Sequence, residues 1–147
     1  MLKQAVVKCP PQAWDDPRDK DKFWFVAYHA LRCAHQYLKA KEKGYARWEQ
    51  RSHSNPGKPF SKEEILEKAA MVEQDVIEQI ASMNLAEKTG AAGALANKFE
   101  LQIYNIRHIQ HHAGELYQRL SAYPVRIGWA SQRYKEKTHL KQREGGR

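Results

Sequence analysis

One short stretch, Asn105-Ile106-Arg107-His108-Ile109-Gln110-His111-His112-Ala113-Gly114-Glu115-Leu116, holds three histidines. His108 and His112 are four apart. On a helix that spacing stacks them one turn above the other on a shared face, while His111 points elsewhere. Two imidazoles so placed converge at a separation that one metal ion accepts. Glu115 and Asn105 fall on the same side as the pair. Either is a candidate fourth ligand, or a hydrogen-bond partner that fixes an imidazole tautomer. A solvated flank carrying ordinary surface histidines has the same spacing, so the pair alone does not define a site.

Other chemistry finds little support. The His-Glu-x-x-His motif of zinc proteases is absent. Glu136 and His139 have the Glu-x-x-His spacing of carboxylate di-iron bundles, but they stand alone in a basic tail and read as chance. Gly90 and Gly93 do not make a phosphate-binding loop, and no serine or cysteine has a base beside it at motif spacing. Cys33 reads as a small half-buried filler, with only Arg32 nearby to favour a thiolate.

The histidines need helices to carry them. Leu95, Phe99, Gln102, Ile106, Ile109, Ala113, Leu116 and Leu120 recur in steps of four and three, the helical period. They predict a long amphipathic helix from near Ala94 to about Ala122, ended by Pro124, with the His108–His112 pair at the margin of its apolar arc. Upstream, Ser61 and Glu64 form a capping box. The helix after it carries Ile65, Ala69, Val72, Val76, Ile80 and Met83. A third helix is expected to start at Asp16, as N-cap, with Pro17 at its first position, and to run to about Lys41. Its stripe is Phe23, Ala27, Ala30, Leu31, Ala34, Tyr37 and Leu38, with His29 and His35 off the centre. Residues 1–8 suggest a short helix stopped by Pro10 and Pro11.

Residues 42–60 read as a long loop, rich in charge, Gly, Ser and Pro and ending in Asn55-Pro56-Gly57-Lys58-Pro59, with Tyr45 and Trp48 anchoring it. Asn84 to Gly93 reads as a turn. After Pro124, Trp129 is expected to fold back on the helices. From Arg133 the chain is basic and ends near two glycines, an exposed tail. No strand signal is present, so packed helices are the direct conclusion.

At 147 residues with 41% apolar content, one compact domain with a real core is expected, over residues 1–130, followed by a tail at 131–147. The formal charge of +8 permits nucleic-acid binding without requiring it. Arg133, Lys135, Lys137, Lys141 and Arg143 could contact phosphates, but Tyr134 is the lone aromatic among them and stacking recognition is unsupported. Two cysteines are too few for a disulfide scaffold, which points to a reducing, cytoplasmic setting. No apolar run reaches membrane-spanning length, so no membrane association is expected.

Two stretches together resemble a known family. Phe23-Trp24-Phe25-Val26-Ala27-Tyr28-His29-Ala30-Leu31, continuing to Tyr37-Leu38, is similar to the second helix of the DinB-like (DinB/YfiT) superfamily. The stretch from Asn105 to Leu116 is similar to its fourth helix, and the capped helix after Ser61 falls where the family has its third. Trp129 falls where a trailing Trp is common. The resemblance spans roughly residues 10–130. It implies an all-α four-helix bundle, often a homodimer, here with a shortened first helix and a basic C-terminal tail. It also implies a divalent metal held by His29, His108 and His112, with zinc or nickel the expected ion and iron an alternative. Characterised relatives include transferases and isomerases that use a low-molecular-weight thiol, while other members have lost the metal.

Two departures from the family pattern stand out. The segment before Pro10 is much shorter than the family's first helix, so either a partner chain covers one wall or the chain start is truncated. His35 replaces an Asp that is frequent six residues after the first histidine, and so offers a competing ligand.

Three neutral imidazoles leave a divalent ion with open positions, where it lowers the pKa of a bound water or thiol. The resemblance therefore implies a metal-dependent transferase or hydrolase acting on a small-molecule substrate. Glu115 would handle a proton or orient a ligand, and Arg107 would bind an anionic substrate group. A metal-free helical dimer and a basic nucleic-acid-binding module are the rival readings.

Overall fold

The computed structural model of the chain describes residues 1–38, 57–89 and 96–128. These residues form five helices and no strands: α1 (Leu2–Lys8), α2 (Pro11–Trp14), α3 (Phe23–Leu38), α4 (Lys62–Ser82) and α5 (Lys98–Leu120). The fold is all-α, as the periodicity predicts. No helix among them is long and apolar enough to cross a membrane.

Helix α3 is the centre. It packs against both α4 and α5, and α1 packs against the same two helices. A helix flanked on two sides must be apolar over most of its circumference. In α3, Phe23 to Tyr28, Ala30, Leu31, Cys33, Ala34 and Leu38 are all buried, a much wider arc than the predicted stripe. His35, placed off the stripe by its spacing, is only 2% exposed. Its Nε2 lies 3.1 Å from Oδ2 of Asp75 on α4, a polar tie between the two helices. His35 therefore faces α4, whereas the candidate site lies toward α5.

The short first helix is tied at its outer face. Lys3 Nζ reaches Glu73 of α4 at 2.8 Å. Tyr117 Oη of α5 donates to the Met1 carbonyl at 3.0 Å. The α1 helix stops before the two prolines, and Pro11 then sits at the start of α2, where its missing N–H costs nothing. Trp14 closes the corner: its Nε1 donates to the Phe60 carbonyl at 2.8 Å, and its ring packs on Phe23 at 5.8 Å.

The structure corrects the start of α3. Asp16 and Pro17 do not begin a helix; the chain runs through turns as far as Phe23. Asp16 instead closes a tight local turn. Its carboxylate accepts from the backbone N–H and the guanidinium of Arg18, and Lys22 Nζ donates to the carbonyls of Asp16 and Asp19. An aspartate is as competent in such a turn as at an N-cap, and here the local turn wins.

The capping box on α4 is present as predicted. Glu64 N–H donates to Ser61 Oγ at 3.2 Å, and Ser61 N–H donates to Glu64 Oε2 at 2.7 Å. The apolar stripe of α4 is buried at Ile65, Ala69 and Val72, but Val76, Ile77 and Ile80 are exposed.

Helix α5 starts later than predicted. Asn97 is its N-cap, accepting from Glu100 N–H at 3.0 Å, while Glu100 reaches back to Ala96 N–H at 2.8 Å. Its stripe is fully buried in the second half, at Ala113, Leu116 and Leu120. In the first half Gln102 is buried as the stripe requires, but Phe99 is 53% and Ile106 54% exposed, and Leu101 and Asn105, outside the stripe, face inward. The reason is polar. Gln102 Nε2 donates to the Tyr37 carbonyl at 2.8 Å, and Asn105 Nδ2 to the Ala34 carbonyl at 3.2 Å, near the C-terminal end of α3. Two side-chain amides of α5 thus bind backbone carbonyls of α3.

Past Pro124, Val125 and Ile127 pack on the core. Tyr45, Trp48, Gly90, Gly93, Leu95, Trp129, the predicted end of α3 at Lys41 and the basic tail lie outside the described residues.

Candidate metal centre

The α3 and α5 helices run antiparallel, since Tyr37 meets Gln102 at one end and Asp19, just before α3, meets Arg119 at the other. This register brings His29 level with His108 and His112. The ring of His29 lies 5.3 Å from that of His108 and 5.0 Å from that of His112, and the last two are 4.6 Å apart. One donor atom from each of the three lies within 4.8 Å of the others. All three side chains are half-buried, open enough for an ion and shielded enough to hold it.

The finer geometry fits a metal. Nε2 of His112 and Nε2 of His108 are 3.3 Å apart. Two nitrogens at about 2.0–2.1 Å from one tetrahedral ion lie about 3.3 Å from each other. Nδ1 of His112 is 3.2 Å from Oε2 of Glu115. A carboxylate only accepts, so Nδ1 carries the proton and Nε2 keeps its lone pair for the shared point. Glu115 is braced in turn by Arg119, whose Nη2 donates to Oε1 at 2.5 Å and whose Nη1 reaches Asp19 at 3.3 Å.

On His108, burial above all, and then the neighbouring His112 and His111, push the pKa below its ordinary 6.5. The neutral ring is the form that binds a cation. Nδ1 of His108 is buried without a hydrogen-bond partner, and so is Oδ1 of Asn105, three residues earlier on α5. The two orphans are chemically complementary, an N–H donor and a carbonyl acceptor. Asn105, a candidate ligand by its spacing, is turned instead toward α3 and Gln102.

A second group of compatible donors is His111, His112 and Glu115, and it shares His112 with the first. His111 itself is exposed, pointing away from α3 as its position in the stretch predicts. Arg107 is exposed on α5 and belongs to neither group.

Three further residues border the imidazoles. Tyr37 and Tyr104 pack against His108 at 6.2 Å and 6.1 Å between ring centres. Burial pushes the Tyr37 phenol up to about 12, so it stays protonated near neutral pH. Cys33 Sγ lies 3.7 Å from Nε2 of His29. The signal for Cys33 was present: it follows His29 by four residues, the same interval that separates His108 from His112.

Comparison of the chain with protein-family models, with curated proteins and with solved structures finds no match.

Proposed function

We propose that the chain is a metal-dependent transferase or hydrolase of the DinB-like type, a four-helix bundle in which His29, His108 and His112 hold a divalent ion, zinc or nickel, with iron as the alternative. The observation that carries this reading is the convergence of His29 from α3 with His108 and His112 from α5 within 4.8 Å. Donors from two helices meet only if the packing sets the register.

A divalent ion held by three neutral imidazoles supplies Lewis acidity to a thiol or a water molecule at neutral pH. The chain's own residues prepare that chemistry. Glu115 holds the His112 ring in the tautomer whose Nε2 faces the other imidazoles. Arg119 keeps the Glu115 carboxylate in place. The protonated phenol of Tyr37 and the ring of Tyr104 flank His108 on one side. Arg107, exposed beside His108 in sequence, is the proposed contact for an anionic part of a small-molecule substrate.

Elemental analysis of the untagged protein tests the reading, beside His29→Ala and His112→Ala. Near-stoichiometric metal in the parent, lost from both variants while helix content is kept, is the expected result. Less than about a tenth of an equivalent, unchanged by added zinc or nickel, would replace it with a metal-free helical assembly.

A homodimer is the proposed assembly, whether or not the site is catalytic. It is favoured by the apolar side chains left exposed on α4 (Val76, Ile77, Ile80) and α5 (Phe99, Ile103, Ile106). Sedimentation equilibrium of the full chain reads this directly: a monomer at tens of micromolar would remove it. The cytoplasm is the proposed location.

A further inference from the structure

We propose that Cys33 is a fourth, thiolate ligand of the same centre, so that α3 and α5 each contribute one pair of donors four residues apart: His29 with Cys33, and His108 with His112. This rests on the three-histidine reading and extends it to a residue outside that triad.

The argument begins with position. Cys33 is buried and follows His29 by one turn on the face that α3 turns toward α5. The neighbouring contacts fix that face: Tyr37, one turn further along, packs on Tyr104 and His108 of α5. Cys33 thus lies between His29 and Tyr37 along the row that borders the imidazoles.

Distance points the same way. Sγ of Cys33 is 3.7 Å from Nε2 of His29. A sulfur about 2.3 Å and a nitrogen about 2.0–2.1 Å from one tetrahedral ion stand about 3.6 Å apart. The His108–His112 separation of 3.3 Å matches the corresponding nitrogen–nitrogen edge. Each helix thus carries one donor pair at the separation of a coordination edge. The compact group is the three imidazoles, and Cys33 adjoins it through His29. Binding as proposed requires the Cys33 side chain to turn toward His108 and His112.

Ligation exchanges the S–H bond for a metal–sulfur bond and releases one proton to solvent. A soft donor in the set favours zinc, cobalt or nickel over magnesium or manganese. It also occupies one of the positions that three histidines alone leave open. A substrate thiol or water must then enter as a fifth ligand or displace Cys33.

Cobalt(II) is the probe, because thiolate ligation adds a near-ultraviolet sulfur-to-metal charge-transfer band that imidazoles cannot produce. The full chain is stripped of metal under reducing conditions and titrated with cobalt chloride. The expected result is one equivalent bound, with that band growing in step with the visible d–d bands. Cys33→Ser should keep the d–d bands and lose the charge-transfer band, and Cys9→Ser should keep both. One equivalent of cobalt bound without the band overturns the role of Cys33 and leaves the histidines standing. No cobalt binding by a protein of intact helix content overturns both. If Cys33→Ser does not fold, zinc-edge absorption of the parent protein decides, by the presence or absence of one sulfur in the first shell.

Discussion

Nδ1 of His112 and Oε2 of Glu115 face each other at 3.2 Å across one turn of α5. The contact does more than join two polar groups on a helix surface. It dictates which nitrogen of His112 keeps a free lone pair, and that nitrogen is the one aimed at His108. Arg119 holds the far side of the same carboxylate and links it to the turn before α3.

Glu115→Gln should therefore weaken zinc binding by about 10–100-fold, the usual cost of losing a carboxylate behind a metal-bound histidine. Competition against a chromophoric chelator measures it. The circular-dichroism spectrum should not change, because Glu115 is only partly buried. Arg119→Ala should produce a smaller loss in the same assay, since it loosens the carboxylate without removing it.

Truncation along α5 should separate two residues that the periodic pattern treats alike. Leu116→Ala empties a fully buried position and should cost about 2–5 kcal/mol of stability. Ile106→Ala, at a position 54% exposed, should change the stability of the monomer by less than about 0.5 kcal/mol. Urea denaturation of the two variants at low protein concentration tests the contrast. An Ile106→Ala loss as large as that of Leu116→Ala would mean that something covers this side of α5.

Acid should loosen the connection between α2 and α3 only below about pH 4. The guanidinium of Arg18, and then its backbone N–H, hold the Asp16 carboxyl down to about 2 from its ordinary 3.8. A carboxyl with a depressed folded value stabilises fully above its unfolded value, and the contribution fades as pH falls from there through the folded value. The window is thus about pH 4 to 2. Trp24, whose Nε1 donates to neighbouring Asp15 at 2.8 Å, reports on this segment by fluorescence. Asp16→Asn should be less stable at pH 7 and should have lost the part of the acid transition that belongs to this group.

The metal-free protein should lose stability as pH falls below about 6.5. The folded value of His108 is depressed, so below its unfolded value the unfolded chain takes up the proton more readily than the folded one. Above about 6.5 this group adds no pH dependence. Denaturation midpoints at pH 7.5 and 5.5 should differ less in His108→Gln than in the parent protein.

Much of the helical framework can be read along the chain. The Ser61–Glu64 box, the prolines after α1 and the run of Ala113, Leu116 and Leu120 are local signals, and each appears where its physics requires. Asp16 was misplaced because a capping aspartate and a turn aspartate look alike until their donors are known. The first half of α5 was misread for a related reason. Asn105 is polar by type and lies off the apolar stripe, yet it turns inward and donates to the Ala34 carbonyl of α3.

Residue order sets intervals within one helix: His108 to His112, His112 to Glu115, His29 to Cys33. Those follow from 3.6 residues per turn and need no partner element. Whether the pair on α5 meets His29, and whether His35 or His29 is the one that faces it, depends on how α3 is rotated and shifted between α4 and α5. That choice belongs to packing, because burying nearly the whole circumference of α3 sends His35 to Asp75 and leaves His29 beside the other two imidazoles.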